Sequence, residues 1–418
     1  MSQPNNIIKN RHTYESLNDF GNKDLNIFNI EVPSHLKIID TRKLSDFKKK
    51  AFGNYEKSKI ALCLDKSILN EKIEQAIFCG LQLFFCGDMK GLWNRLYNLA
   101  CKQIHIMNPK LPFYLLSRLK LWNGILHQAE VVKDKNAILL LRNNQELRNI
   151  LVEMITILTI SRKAKLETLP RIKKEEFLVS NFKGKLEADA TNYTSNIFKE
   201  RDPNEIRIVA NEMAYHLSNK NQKKTLYWLS WILEWEKLHI SKYKKFDVGT
   251  RFYDGVDSKW QKNVIWLIWD IVLKYKKSMC DSDSQSQIDT LLELYLFKFK
   301  IGEKARRLNY ILWSIKYICF SCDWKIKLVE REYYVFQTIL NLNALILRIK
   351  KDEVKGDIYR HAKFNLLVKD NYITNQESLQ FEAEKKKQAK VKKAKKGKIS
   401  VQSLDKLEAL HKLDKLMS

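Results

Sequence analysis

From about Leu62 onward, apolar residues recur at three- and four-residue intervals, the rhythm of amphipathic helices. Before that, residues 1–55 read as a loose arm, with Thr41–Phe52 as a short basic helix inside it. A first helical block spans 56–165. Ser67 is placed to cap a helix reaching Cys86, with Ile73, Ile77, Leu81 and Phe84 on one face. Gly87 ends it, and Asp88 caps a helix carrying Leu92, Leu96, Leu99 and Ile106. Pro109 and Pro112 open a third, with Leu115, Leu119, Trp122 and Leu126, and Ile138–Ile160 forms a fourth. The rhythm breaks over 166–202, where charged and polar residues, Pro170 and Gly184 indicate a connection. A second block, 203–372, opens at Pro203, the last proline of the chain. Its pattern predicts helices over 204–218, 222–240, 258–277, 287–300, 303–320, 327–350 and 356–369.

This second block holds eight of the ten tryptophans, between Trp228 and Trp324. Trp228, Trp231 and Trp235 share one helix face, and Trp266 and Trp269 sit in a segment apolar almost all round. Aromatic stripes at helical spacing are core far more often than ligand sites, so these rings are expected to pack. Trp-bearing segments begin near Leu226, Val264 and Ile311, spaced by 38 and 47 residues. That is near the roughly 40–47-residue period of HEAT-type helix pairs. The chain is therefore expected to be all-α, a stacked HEAT-like layer or else an irregular helical bundle. Only 12 Gly and 6 Pro in 418 residues support this, because all-β folds need many turns.

Two stretches carry a resemblance. FCGLQLFFCGDMKGLWNRLYNLACKQIHIMNPKLPFYLLSRLKLW occupies 78–122. NEMAYHLSNKNQKKTLYWLSWILEWE, 211–236, is followed by VDSKWQKNVIWLIWDIV, 256–272. Together they resemble an uncharacterised family of helical proteins encoded by large nucleocytoplasmic DNA viruses of the mimivirus kind, across about 60–350. The resemblance implies a viral protein found in the host cytoplasm, in a viral factory, or in the virion. It implies other viral proteins as partners and carries no activity or functional residues.

Charge changes the picture most. With 75 Lys+Arg against 48 Asp+Glu, the net charge is +27. A Lys-rich tail, 373–418, contains nine lysines in fourteen residues: Lys385, Lys386, Lys387, Lys390, Lys392, Lys393, Lys395, Lys396 and Lys398. Such a run repels itself and attracts polyanions; its simpler reading is a solubilising tail or a localisation signal. Residues 382–418 hold 12 Lys and 5 acids, which leaves +20 on the other 381 residues, so a basic surface is also expected on the folded part. The second candidate is Lys242, Lys244, Lys245 and Arg251, interleaved with Tyr243, Phe246, Phe252 and Tyr253. Cations there would meet phosphates and rings would stack on bases, unless the rings pack into the core.

Other signals are weaker. Asp281, Asp283, Gln285, Gln287 and Asp289 alternate like a calcium loop but lack its central Gly and terminal Glu, so capping of the next helix is the better reading. Glu236–His239 has di-iron spacing without the further ligands. Cys319–Cys322 is a lone CxxC, read as two buried thiols on a helix, and the seven cysteines suit a reducing compartment. No phosphate loop, nucleophile elbow or zinc-protease motif is present. No cofactor, secretory signal or membrane span is expected. The reading is a non-enzymatic protein associating with nucleic acid, DNA or RNA, through a basic surface and tail. The alternative is a protein-interaction scaffold or virion component.

Overall fold

The computed structural model describes residues 32–355, except 131–134, 179–180, 182–183 and 330. Among these residues there are twelve α-helices and no strand, so the chain is all-α. They are α1 (Lys57–Leu69), α2 (Ile73–Phe85), α3 (Met89–Gln103), α4 (Leu111–Glu130), α5 (Ala137–Leu140) and α6 (Gln145–Ile160). The second half contributes α7 (Arg207–Ser218), α8 (Gln222–Tyr243), α9 (Val264–Met279), α10 (Ser282–Leu296), α11 (Lys304–Cys319) and α12 (Glu332–Lys350).

The helix ends show which local signals act. Gly87 ends α2 with φ 80, where a Cβ would meet Leu139 Cδ2 at 2.9 Å. The expected helix from Ser67 to Cys86 is instead two. Ser67 is buried in the last turn of α1, and Glu71, at φ 57, turns the chain between Asn70 N–H, which donates to Lys66 O, and Lys72 N–H, which donates to Ser67 O. A left-handed Glu makes this turn without a Gly or Pro to announce it. Asp88 stands at the N-cap of α3, as expected, but its side chain makes no capping hydrogen bond and pairs with Lys57 at 3.2 Å instead. The helix expected over 138–160 is interrupted at Asn144, whose side chain accepts from Leu147 N–H at 2.9 Å to start α6. Asn263 caps α9 and Asp281 caps α10 in the same way, the latter accepting from Ser284 N–H at 2.7 Å. The Asp281 segment is thus a cap. Thr41–Phe52 holds only a short 3-10 turn, Leu44–Phe47.

Packing runs across the blocks. Short turns fold α1 onto α2 and α7 onto α8. Helix α11 meets α3 as well as α8, α9 and α10, and α4 meets α10. Helix α12 returns to lie on α6, α2 and the Ser34–Leu36 turn. A solenoid touches only its sequence neighbours, so these crossings make the molecule an irregular bundle and not a HEAT-like layer. Residues 32–55 are no loose arm: Val32, Leu36, Ile38, Phe47, Ala51 and Phe52 are buried. Fully buried Arg148 ties this segment to α6, donating to Arg142 O, Leu36 O and Asn143 Oδ1. The connection is irregular but also packed, through Leu166, Ile172, Phe177 and Ile197. The expected tryptophan core is present: Trp228, Trp231, Trp235, Trp266 and Trp269 are all buried. Cys322 lies beyond the end of α11, so the CxxC pair does not share a helix. No described helix is long and apolar enough to cross a membrane.

One turn gives the fold a pH dependence. His105 is enclosed between α3 and α4, and its burial, with Lys316 nearby, depresses its pKa to about 4. An unfolded histidine titrates near about 6.5. Between these values the unfolded chain binds a proton that the folded one refuses. Stability is therefore full above about pH 6.5 and falls as pH drops toward about 4, by up to about 3 kcal/mol. Urea unfolding at pH 7 and pH 4.5 checks this; in His105→Leu this component of the acid loss should vanish.

Candidate functional site

The nine tail lysines, Lys385–Lys398, lie outside the described residues. The Lys242–Lys259 segment is described, and it divides in two. Lys244 and Lys245 are exposed at the end of α8, which Lys244 terminates with φ 64. Lys242 lies over the Tyr243 ring at 5.0 Å, and Lys245 pairs with Asp247 at 3.0 Å. Arg251 does not belong to this surface. Its side chain is 2% exposed and grips Asp202 at 2.7 Å and Asp270 at 2.6 Å. It also donates to Gly249 O and Ile197 O. A guanidinium enclosed by two carboxylates has no reach to a phosphate; its role is structural. Of the rings, Phe246 is buried and Tyr253 stacks on Trp266, while Tyr243 and Phe252 stay outside.

The larger charged feature lies elsewhere. A cleft of about 740 Å³ opens between α3 and α4 on one side and the α10–α11 connection with α11 on the other. Its lining includes Lys90, Arg95, Lys102, Lys298, Lys300, Arg306 and Arg307, seven cations, against two carboxylates, Asp65 and Glu303.

Each wall has a local cause. On α3, Lys90, Asn94, Asn98 and Lys102 recur every four residues, a polar stripe opposite the buried Leu92, Leu96 and Leu99. On the other wall, Phe297-Lys298-Phe299-Lys300 alternates with period two. Phe299 is buried against Trp266 at 5.1 Å and Tyr295 at 5.4 Å, and Phe297 is half-buried. The alternation leaves Lys298 and Lys300 exposed at the rim. The walls meet where Asn309 Nδ2 donates to Asn98 Oδ1 at 2.7 Å. Beneath run packed rings: Trp122 to Trp93 at 5.0 Å, Trp93 to Tyr97 at 5.2 Å, and Tyr97 to Tyr310 at 6.4 Å.

Not all the charge is available. Arg95 pairs with Asp65 at 2.5 Å and donates to Ala61 O. Arg307 pairs with Glu303 at 3.2 Å and donates to Tyr295 O. Arg306 also reaches Glu303, at 3.1 Å, with its side chain 63% exposed. Lys90, Lys102 and Lys300 are exposed and, among the described residues, pair with no carboxylate. Burial pushes the pKa of Tyr97, Tyr310 and the Cys101 thiol up, so these stay neutral at pH 7. The cleft therefore offers fixed positive charge at its rim, side-chain amides on its wall and a neutral floor.

Of the two basic runs singled out in the sequence, 385–398 lies outside the described residues and 242–245 does not line this cleft, whereas the basic stretch 298–307 forms one of its walls. The signals that mark it are the four-residue polar period of α3 and the Phe-Lys alternation, which lies inside a stretch whose pattern predicts the end of a helix.

Elsewhere, Glu236 is buried and held by Lys304 and by Asn263 Nδ2, and the His239 ring lies tilted against Trp235, their centroids 4.6 Å apart. Among the described residues no cluster of His, Cys, Asp and Glu is arranged to hold a metal ion. Comparisons of the chain with protein-family models, with curated proteins and with solved structures found no match.

Proposed function

We propose that this protein associates with nucleic acid through phosphate contacts made by its folded basic surface and its Lys-rich tail. The observation that carries the reading is the cation excess of the α3–α11 cleft, with Lys90, Lys102 and Lys300 unpaired among the described residues. Such contacts release counterions and give affinity with little sequence preference. The resemblance to proteins of large DNA viruses supports placing this activity in a viral factory or in the virion.

The test is a titration with DNA and RNA at several salt concentrations. The full chain should show a steep log–log salt slope. Deleting 382–418 should lower the slope by about 0.7–0.9 for each phosphate that the tail neutralises. A residual slope in the truncated protein belongs to the folded surface. No binding by the full chain at low salt overturns the reading.

A second reading, a protein-interaction scaffold or virion component, has its own support. Tyr333, Phe336, Leu340 and Leu347 make an exposed apolar stripe along α12. Exposed apolar stripes of this kind mark protein contacts. On that reading Phe336→Asp removes a protein partner and leaves nucleic-acid affinity unchanged.

A further inference from the structure

The shape of the cleft narrows the kind of nucleic acid. Proteins that read duplex DNA directly present a projecting helix or ribbon to a major groove about 12 Å wide. Here the charge is concave: the cations stand on two facing walls, and the floor between them is closed by packed rings. A duplex carries its phosphates on the outside of a thick rod and cannot bring them to both walls of such a cavity. A single strand can, and proteins that bind single strands use charged grooves of this kind. The volume, about 740 Å³, is that of a site for a ligand the size of a nucleotide or two.

The polar groups between the cations fit the same ligand. Asn94 is exposed on α3, one turn before Asn98, and Gln103 follows Lys102. Asn98 spends its Oδ1 on Asn309, which leaves its amide N–H groups for another acceptor. Base edges present paired donors and acceptors that side-chain amides match, whereas a bare inorganic anion has no use for amide acceptors. Of the floor rings, Trp93, Tyr97 and Trp122 are buried and packed and only Tyr310 is half-buried, so the floor offers no row of exposed ring faces on which successive bases would stack.

We propose that the α3–α11 cleft is a single-strand site, with Lys90, Lys102 and Lys300 on phosphates and Asn94, Asn98 and Gln103 on base edges. This rests on the nucleic-acid reading above and adds strand type and location.

The experiment uses the full chain, tail included. A fluorescent 12-nucleotide mixed-sequence DNA single strand, its duplex, and inorganic polyphosphate are the probes. The wild-type protein should bind the single strand more tightly than the duplex, and unlabelled single strand should compete better than polyphosphate of equal charge. In Lys102→Glu/Lys300→Glu, single-strand affinity should fall at least tenfold, while duplex affinity, carried by the tail, changes less than threefold. A wild-type far-UV circular dichroism spectrum and an unchanged urea midpoint show the variant to be folded. The milder Asn94→Ala should narrow the gap between single strand and polyphosphate without changing the salt slope. Equal affinity for single strand and duplex, or a charge-swapped variant that keeps its single-strand affinity, overturns the site while leaving nucleic-acid association standing. Failure to bind any of the three probes overturns both.

Discussion

Arg251→Met is expected to destabilise the protein by about 3–5 kcal/mol, the usual cost of breaking a buried ion pair from one side. Arg251 and Asp202 are both enclosed, their side chains 2% and 0% exposed. The guanidinium spans Asp202 and Asp270, bidentate on the first. Burial alone would lower its pKa; the two carboxylates more than reverse this and hold it charged. Methionine fills much of the space but leaves Asp202 with a buried charge and only the backbone N–H groups of Lys199 and Gly249 to meet it. Urea unfolding measures the loss. The double variant Arg251→Met/Asp202→Asn should recover part of it, because the stranded charge is then gone. A loss below about 1 kcal/mol would show that the carboxylates find other partners, and would return Arg251 to the candidate surface.

Arg251 also marks what a sequence shows and what it hides. Its neighbours Lys242, Lys244 and Lys245 make a basic run, and composition alone cannot separate a solvated lysine from an arginine recruited by Asp202 and Asp270, 49 and 19 residues away. The helices were legible where apolar periodicity was long: α4, α7, α8 and α11 begin and end within a few residues of the pattern. They were not legible where a turn is made by a residue with no turn signature. Glu71 splits one expected helix in two, and the break before α6 is visible only through the Asn144 cap. Block boundaries followed proline and charge, whereas packing followed surface complementarity, so α12 joined α2 and α6 from across the chain. The cleft was illegible for the same reason. Its walls meet across 211 residues of sequence, and although 298–307 holds five cations against one acid, nothing in the sequence sets that stretch opposite the polar stripe of α3.

Trp231→Ala is the second large effect, about 3–5 kcal/mol, the range for emptying a buried aromatic site. Trp231 is 0% exposed. Its ring stacks on Trp235 at 4.9 Å and lies 4.8 Å from Phe177, while its indole N–H donates to Glu176 O at 3.4 Å. The last two of these reach the Lys174–Phe177 turn, so the ring holds the irregular connection onto α8. The alanine variant should therefore lose more than global stability: limited proteolysis should cut first within 166–202, before any helix is attacked. Phe177→Ala removes the other side of the ring pair and should cost less than Trp231→Ala, since it leaves the Trp231–Trp235 stack in place. The two losses should then fall short of adding in the double variant, because each alone already opens the shared packing. Full additivity, or a wild-type proteolysis pattern in Trp231→Ala, would mean that the connection is held by its own packing and that the tryptophan stack serves α8 alone.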